Sequence, residues 1–320
     1  MASEFDLIRR FFERPAHAGL RTLLGVGDDA ALLRVEPGMA LAVSTDMLLA
    51  GRHFPDATPP RALGHKALAV NLSDLAAMGA TPRWATLSIA LPVADEAWLA
   101  EFSAGLFALA RRFDVDLVGG DTTRGPLTIS VSVLGEVPPE YALTRGGARP
   151  GDDIWVSGEL GQAAAALAAL QGRVRLAAPQ AARAQACLET PEPRVALGER
   201  LRGLASAAID VSDGFAADLG HVLERSGVGA LVHVAQLPGV RTGDAALDLQ
   251  CTLAGGDDYE LIFTAAQRVR AAIAALGSEL GIALSRVGAI QATPTRLVLL
   301  DAQGQPIAPP AGYDHFAEPS

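Results

Sequence analysis

Ala69-Val-Asn-Leu-Ser-Asp-Leu-Ala-Ala-Met-Gly79 reads as the end of a helix that begins near Arg61. Leu68, Leu72, Leu75 and Ala76 recur at helical spacing and make one apolar face. Asp74 stands inside this nearly uncharged run. A carboxylate among apolar groups is costly unless something positive meets it. Lys66 is the only lysine of the chain. Asp74 therefore either meets a bound metal ion or, in the plainer reading, points to solvent or caps a turn. The positions of the other acids bear on that choice.

On the N-terminal side, residues 3–12 read as an amphipathic helix with Ser3 as N-cap, Asp6 three positions on, and Phe5, Ile8 and Phe12 on one side. Gly25-Val-Gly-Asp-Asp29 is a turn followed by a strand over 30–35. Pro37-Gly38 leads into a second strand over 40–44, and Thr45-Asp46 and an irregular piece holding His53 follow. Pro59-Pro60 suits a helix start. Beyond the Asp74 helix, residues 83–91 alternate as a strand. Asp95 caps a helix that runs to about Arg112. A short strand over 116–118 enters Gly119-Gly-Asp-Thr-Thr-Arg-Gly125, and a long strand covers 127–137. The glycine-dense stretch 145–152 reads as the linker, giving domains over 1–146 and 147–320. The second half holds strands over 153–157, 207–211, 230–234, 260–264, 283–290 and 296–300, with helices between them, one over 265–276. This pattern is mixed α/β with α+β character, not a pure doubly wound sheet.

With 320 residues, half of them hydrophobic, the chain is long enough for two cores. A net charge of −10 leaves no basic stripe for nucleic acid. Cys187 and Cys251 have neither metal nor redox spacing and read as thiols of a reducing compartment. No apolar run reaches membrane-spanning length, and the N-terminus lacks the pattern of a signal peptide. The expectation is a cytoplasmic protein.

The acids share one grammar. Asp28 and Asp29 follow Gly-Val-Gly; Asp46 follows strand residues and Ser44-Thr45; Asp121 follows Gly119-Gly120. Asp210 and Asp213 end a strand before Gly214, and Asp257 and Asp258 follow Gly255-Gly256. Strand ends meeting glycine turns are where α/β folds place ligands. Two carboxylates about 4 Å apart repel by roughly 4 kcal/mol at an effective dielectric near 20, so converging acids must be protonated or neutralised by a cation. Oxygen-only donors suit magnesium first and calcium second, and magnesium held by carboxylates usually shares its shell with phosphates. No Walker loop, kinase triplet or nucleophile elbow is present. Arg124 and Arg145 flank glycines and suit phosphate oxygens. His53 is the one histidine beside a candidate site.

Together these stretches, with Gly51-Arg-His-Phe54, Leu143-Thr-Arg145 and Gly312-Tyr-Asp-His-Phe316, resemble the thiamine-monophosphate kinase family. Its superfamily includes aminoimidazole ribonucleotide synthetase and selenophosphate synthetase. The resemblance implies two α/β domains and a homodimer whose N-terminal mixed sheets pair into a barrel. It implies magnesium, ATP as phosphoryl donor and thiamine monophosphate as acceptor. Carried over by position, Asp29, Ser44, Thr45, Asp46, Asp74, Asp121, Asp210 and Asp213 correspond to magnesium ligands. Gly120, Asp121, Arg145 and Ser212 correspond to ATP contacts, and His53, Asp257 and Tyr313 to thiamine-phosphate contacts. Asp46, Asp74, Asp121 and Asp213 are the residues expected to carry catalysis. Asp257 departs from the glutamate frequent in the family and is one methylene shorter. Selenophosphate synthetases rely on an N-terminal cysteine or selenocysteine, which this chain lacks. A purine synthetase stays open on physical grounds, although His53-Phe54 and Tyr313 favour the thiamine branch. The absence of EF-hand spacing counts against a non-catalytic calcium-binding module.

Overall fold

The structure, a computed structural model, describes residues 4–14, 21–294 and 296–310. The chain divides into two units. One comprises Met1–Leu75, Ala80–Ala142 and Glu189–Val195, the other Ala76–Gly79, Leu143–Leu188 and Ala196–Ser320.

In the first unit α1 (Glu4–Leu7) continues as a π-helical turn over Ile8–Phe12. β1 (Thr22–Leu24) and β2 (Leu32–Leu33) pair antiparallel. Then come β3 (Ala40–Leu49), α2 (Pro60–Ala77), β4 (Thr81–Leu91), α3 (Glu96–Arg112), β5 (Asp116–Arg124) and β6 (Thr128–Val137). The four long strands form a sheet in the order β3-β6-β4-β5, so β3 and β5 are its edges. β3–β6 and β6–β4 are antiparallel, and β4–β5 is parallel. Leu68, Leu72, Leu75 and Ala76 of α2 are all buried. Trp98 stacks on Phe102 of α3, their ring centroids 5.0 Å apart.

Three local expectations are corrected. β3 does not stop at residue 44 but carries Thr45 and Asp46 through its middle, because every residue from Ala40 to Leu49 has a partner on β6. β5 likewise runs past Val118 through Gly119-Gly120-Asp121, paired on β4 with a register shift at Ala85/Thr86. At the N-terminus the Glu13 amide donates to the Ile8 carbonyl at 2.9 Å, an i→i+5 bond. The second half of the expected helix is thus a π-helical turn over Ile8–Phe12, and Phe5, Ile8 and Phe12 still line one cavity. Leu7, Phe11 and Phe12 are buried, while Phe5 is 70% exposed. Ser3, the expected cap, lies outside the described residues.

The second unit contains β7 (Asp153–Ser157), α4 (Gln162–Leu170), α5 (Ala178–Glu189), α6 (Val195–Leu201), β8 (Ala205–Asp210) and α7 (Phe215–Ser226). β9 (Gly229–His233), α8 (Ala245–Ala254), β10 (Leu261–Ala265), α9 (Arg270–Leu280), β11 (Leu284–Gln291), β12 (Leu297–Leu300) and β13 (Pro306–Ile307) complete it. Its seven strands run in the order β13-β12-β9-β11-β7-β10-β8. Every pair is antiparallel except β12–β9. The helix expected over 265–276 starts later, at Arg270, because β10 keeps Ala265 in its ladder and a 3-10 turn over Gln267–Val269 intervenes. Phe215, Leu219, Val222 and Leu223 of α7 pack with Ile154, Val156, Ile209 and Ile262 into one core.

The helix pair α2–α3 depends on backbone approach. A Cβ on Gly64 would stand 2.0 Å from the Phe102 carbonyl oxygen, and one on Gly105 would stand 1.9 Å from that of Arg61. Neither carbonyl can yield without moving its helix. Gly64→Ala and Gly105→Ala should each cost about 1–3 kcal/mol. Gly220→Ala, where a Cβ meets nothing within 4 Å, should be neutral or stabilising. Denaturant melts of the three variants test this ordering.

Candidate active site

The first unit assembles one set of site residues where α2 underlies β3. Asn71 and Asp74, three apart, share a helix face. The Ser44 hydroxyl donates to Asp74 Oδ2 at 2.6 Å, and the Asp46 amide donates to Asn71 Oδ1 at 2.9 Å. Asn71 in turn donates to the Ala67 carbonyl at 3.0 Å, which fixes its amide orientation. Asp74 thus answers the question its sequence raised. It is half-buried and accepts a strand hydroxyl, in an environment of oxygen donors. Strand alternation sends Thr45 to the other face, where its hydroxyl lies 2.8 Å from that of Ser132. His53 follows β3 in a turn, and its Nδ1 accepts from the Leu49 amide at 3.1 Å.

A second set lies at the opposite edge. A cavity of about 890 Å³ beside β5 is lined by Asp28, Asp29, Gly119, Gly120 and Asp121 together with Phe5, Ile8 and Phe12. Gly120 has φ +147, and a Cβ there would stand 1.8 Å from the Leu87 carbonyl oxygen. Only glycine lets β5 lie so close to β4 at that point. Asp121 and Thr123 are exposed and Thr122 between them is buried, so Asp121 looks outward from the sheet.

In the second unit two loops are laced by backbone hydrogen bonds. The Val211 amide donates to Glu260 O and the Tyr259 amide to Val211 O, both at 2.8 Å, and the Asp257 amide donates to Ser212 O at 3.0 Å. This brings Ser212, Asp213 and Asp257 together at the end of β8, beside the buried Asp210. Asp257 and Tyr259 hold φ of 66° and 50°, a conformation that costs non-glycine residues about 1–3 kcal/mol. The Tyr259 hydroxyl donates to Asp257 Oδ1 at 2.9 Å and fixes its direction.

Two acids the sequence reading gave no role support these loops. Asp218 Oδ2 accepts the amides of Ser212, Asp213 and Gly214 at 3.0, 3.1 and 3.1 Å. Burial pushes its carboxyl up to about 7, against the amides, which favour the ionised form. The signal for it was present as an acid four residues after Gly214, in the first turn of α7. Asp258 Oδ2 accepts the Gly161 amide at 2.7 Å, while its buried Oδ1 has no hydrogen-bond partner among the described residues. Burial pushes the Asp258 carboxyl well up.

Several residues expected together are apart. Asp46 pairs with Val131, Val131 with Leu87 and Leu87 with Gly120. Asp46 and the Gly120-Asp121 pair therefore end one row across the sheet, about 14 Å apart by strand spacing. The Arg145 carbonyl accepts from Ser226 at 3.0 Å, at the end of α7 away from Ser212. That helix is about 18 Å long. Tyr313 lies outside the described residues. Among the described residues no three His, Cys, Asp or Glu side chains form a metal-binding group. The donor chemistry nevertheless fits magnesium, which usually takes one or two carboxylates and completes its shell with water and phosphates.

The comparisons bear on the family of the chain. The models of the AIR synthase related protein N-terminal and C-terminal domains match residues 27–137 and 149–299. The chain is 46% identical to the thiamine-monophosphate kinase of Salmonella typhimurium over 99% of each chain. A crystal structure of thiamine-monophosphate kinase from Stenotrophomonas maltophilia, also 46% identical, superposes with a TM-score of 0.83 over 92% of this chain and 94% of that one. A chain described as AaThiL complexed with AMPPCP and TMP is 28% identical, with a TM-score of 0.77 over 98% of this chain and 96% of that one. With its two laced loops, its acid-lined sheet edges and relatives alike over their whole length, this chain belongs to the thiamine-monophosphate kinase family.

Proposed function

We propose that the chain transfers the γ-phosphoryl group of ATP to thiamine monophosphate, yielding thiamine diphosphate and ADP. The observation that carries this reading is the cavity at the β5 edge. There Asp29, Gly120 and Asp121, singled out by sequence position, line one space large enough for a nucleotide. The complex with AMPPCP and TMP described for AaThiL supports the same pair of ligands.

The chemistry follows from the charge of the reactants. A phosphate oxygen of the acceptor is already ionised at neutral pH, so no general base is needed. It forms a bond to the γ-phosphorus as the bond from that phosphorus to the β-bridging oxygen breaks, and ADP carries the electron pair away. The task of the protein is to align two polyanions and steady the charge on the transferring group. Asp29, Ser44, Thr45, Asp46, Asp74, Asp121, Asp210 and Asp213 would hold magnesium, which neutralises phosphate charge when bound. Gly120, Arg145 and Ser212 would meet the nucleotide. His53, Asp257 and Tyr313 would meet the thiamine phosphate. The Tyr259 bond orients Asp257, and its shorter side chain would meet the substrate after a small shift or through a water. In this reading residues 1–146 form the metal, ATP and dimerisation domain, and 147–320 complete the ATP and substrate site. No helix among the described residues is long and apolar enough to cross a membrane, which accords with a cytoplasmic enzyme.

We further propose that the working unit is a homodimer that joins the β5 edge of one copy to the β3 edge of the other. Leu41, Val43, Met47 and Leu49 form an apolar row on the outer face of β3, each 38–60% exposed. A long apolar edge strand is normally covered. Closing two four-stranded sheets edge to edge covers that row and makes an eight-stranded barrel. It also sets Asp121 of one copy near Thr45 and Asp46 of the other, across the gap that separates them within one chain.

Incubation with ATP, magnesium and thiamine monophosphate should yield thiamine diphosphate, with no phospho-enzyme formed from ATP alone. Asp74→Asn and Asp121→Asn should each lower kcat by about a hundredfold or more with unchanged circular dichroism; full rates in both would remove the ligand assignment. Mixing inactive Asp46→Asn and Asp121→Asn proteins after subunit exchange should restore up to about one quarter of wild-type activity, since half the dimers then hold one intact site. No recovery would place both residues of a site in one chain. Asp218→Ala, which removes the acceptor from three loop amides, should cost about 1–3 kcal/mol and lower kcat, with partial rescue by Asp218→Asn.

A further inference from the structure

Residues 21–36, the β1–β2 hairpin and its flanks, have no buried member. Leu23 and Leu32 are 54% and 56% exposed, so apolar packing does little to fix where this segment lies. Yet the turn within it, Gly25-Val-Gly-Asp-Asp29, brings Asp29 to the cavity it lines with Gly120 and Asp121. Polar anchors must hold it there. We propose that Thr22 is the positioning residue: its hydroxyl, fastened between Trp84 and Asp116, sets the loop that presents Asp29 to the β5 edge. This rests on the reading of Asp29 as a residue that would hold magnesium.

The Thr22 hydroxyl donates to Asp116 Oδ2 at 2.6 Å and accepts from Trp84 Nε1 at 3.0 Å. Its two partners make opposite demands. An indole N–H only donates, and an ionised carboxylate only accepts. A group between them must do both, which a hydroxyl does and an apolar side chain of the same shape does not. Trp84 is buried and is paired with Asp116 across the β4–β5 ladder, so both partners belong to the sheet. A hydrogen bond to a carboxylate is of the stronger, charge-assisted kind. The neighbouring Arg21–Asp114 pair, 3.6 Å apart and open to solvent, adds little.

The chain path carries the effect to Asp29. Thr22 opens β1, and the loop begins at Gly25 directly after that strand. Two bonds inside the loop are local: the Asp29 amide donates to Asp28 Oδ1 at 2.9 Å, and Val26 bridges Asp28. They shape the turn without joining it to the sheet. At the exit of the hairpin the Glu36 amide donates to Glu136 Oε1 at 2.8 Å, and the buried Glu136 also accepts from Arg83 at 2.8 Å. Thr22 is the corresponding anchor at the entry. Its partner Asp116 starts β5, the strand that carries Gly120 and Asp121. One strand therefore holds both the anchor of the Asp29 loop and the acid that Asp29 has to meet across the cavity.

Thr22→Val keeps the shape of the side chain and removes the hydroxyl. In hydrogen exchange of the full-length protein without metal or nucleotide, peptides covering 23–31 should exchange about fivefold faster or more, with those of β6 unchanged. In turnover, the free magnesium concentration for half-maximal rate should rise about tenfold, with KM for thiamine monophosphate within about twofold. Thr22→Ser keeps donor and acceptor and should restore both readouts to within about twofold of wild type. Asp116→Ala removes the other half of the bond and should reproduce Thr22→Val, so it carries the test if that variant does not fold. Added to Asp29→Asn, Thr22→Val should change magnesium dependence no further. Unchanged exchange over 23–31 would overturn the proposal. So would faster exchange with unchanged magnesium dependence, no rescue by Thr22→Ser, or full additivity with Asp29→Asn. If the wild type made no thiamine diphosphate, the proposed reaction would fail. Hydrogen exchange and a manganese titration in the presence of ADP, expected to weaken about tenfold in Thr22→Val, would still decide the role of Thr22.

Discussion

The unbroken ladder between β3 and β6 is the constraint from which the first unit takes its form. Each residue from Ala40 to Leu49 has a partner on β6, so Ser44, Thr45 and Asp46 cannot fold back as a flexible loop would. They stand in the middle of an edge strand with alternating directions. Ser44 and Asp46 turn toward α2, where Asp74 and Asn71 receive them. Thr45 turns outward to Ser132. A ligand site on such a strand is held by the same bonds that hold the sheet. This is the rigidity that phosphoryl transfer between two anions requires.

The same sheet solves an electrostatic problem. Acids gathered in one place without a cation would oppose folding by several kcal/mol. Here they are divided between the β3 edge, the β5 edge and the laced loops of the second unit. Asp74 accepts a hydroxyl and Asp218 accepts three amides. No three His, Cys, Asp or Glu side chains gather into a metal-binding group among the described residues.

Backbone geometry carries much of the remaining precision. Gly120 permits β5 to approach β4 where any side chain would collide. In the second unit, Asp218 gathers three successive amides beneath Ser212 and Asp213, and the neighbouring loop holds Asp257 and Tyr259 at positive φ. Such conformations persist only where the surroundings over-determine them. Here the bonds between Val211, Ser212, Asp257, Tyr259 and Glu260 do so.

Read alone, the sequence determined the two-part α/β organisation and most of the elements, because these depend on local pattern: helical spacing around Asp74 and alternation along 83–91 and 127–137. It misplaced Asp46 and Asp121 at strand ends, since nothing in Ser44-Thr-Asp46 or Gly119-Gly-Asp121 announces a partner strand far along the chain. It read residues 3–12 as one regular helix because an i→i+5 turn leaves no mark in residue spacing. It passed over Asp218, whose task is to hold amides and not to meet a ligand. Only the tertiary structure decided which strands are edges, which face each side chain takes and which acids meet. Those properties arise from pairings between distant segments, and the free energy of such pairings belongs to neither segment by itself.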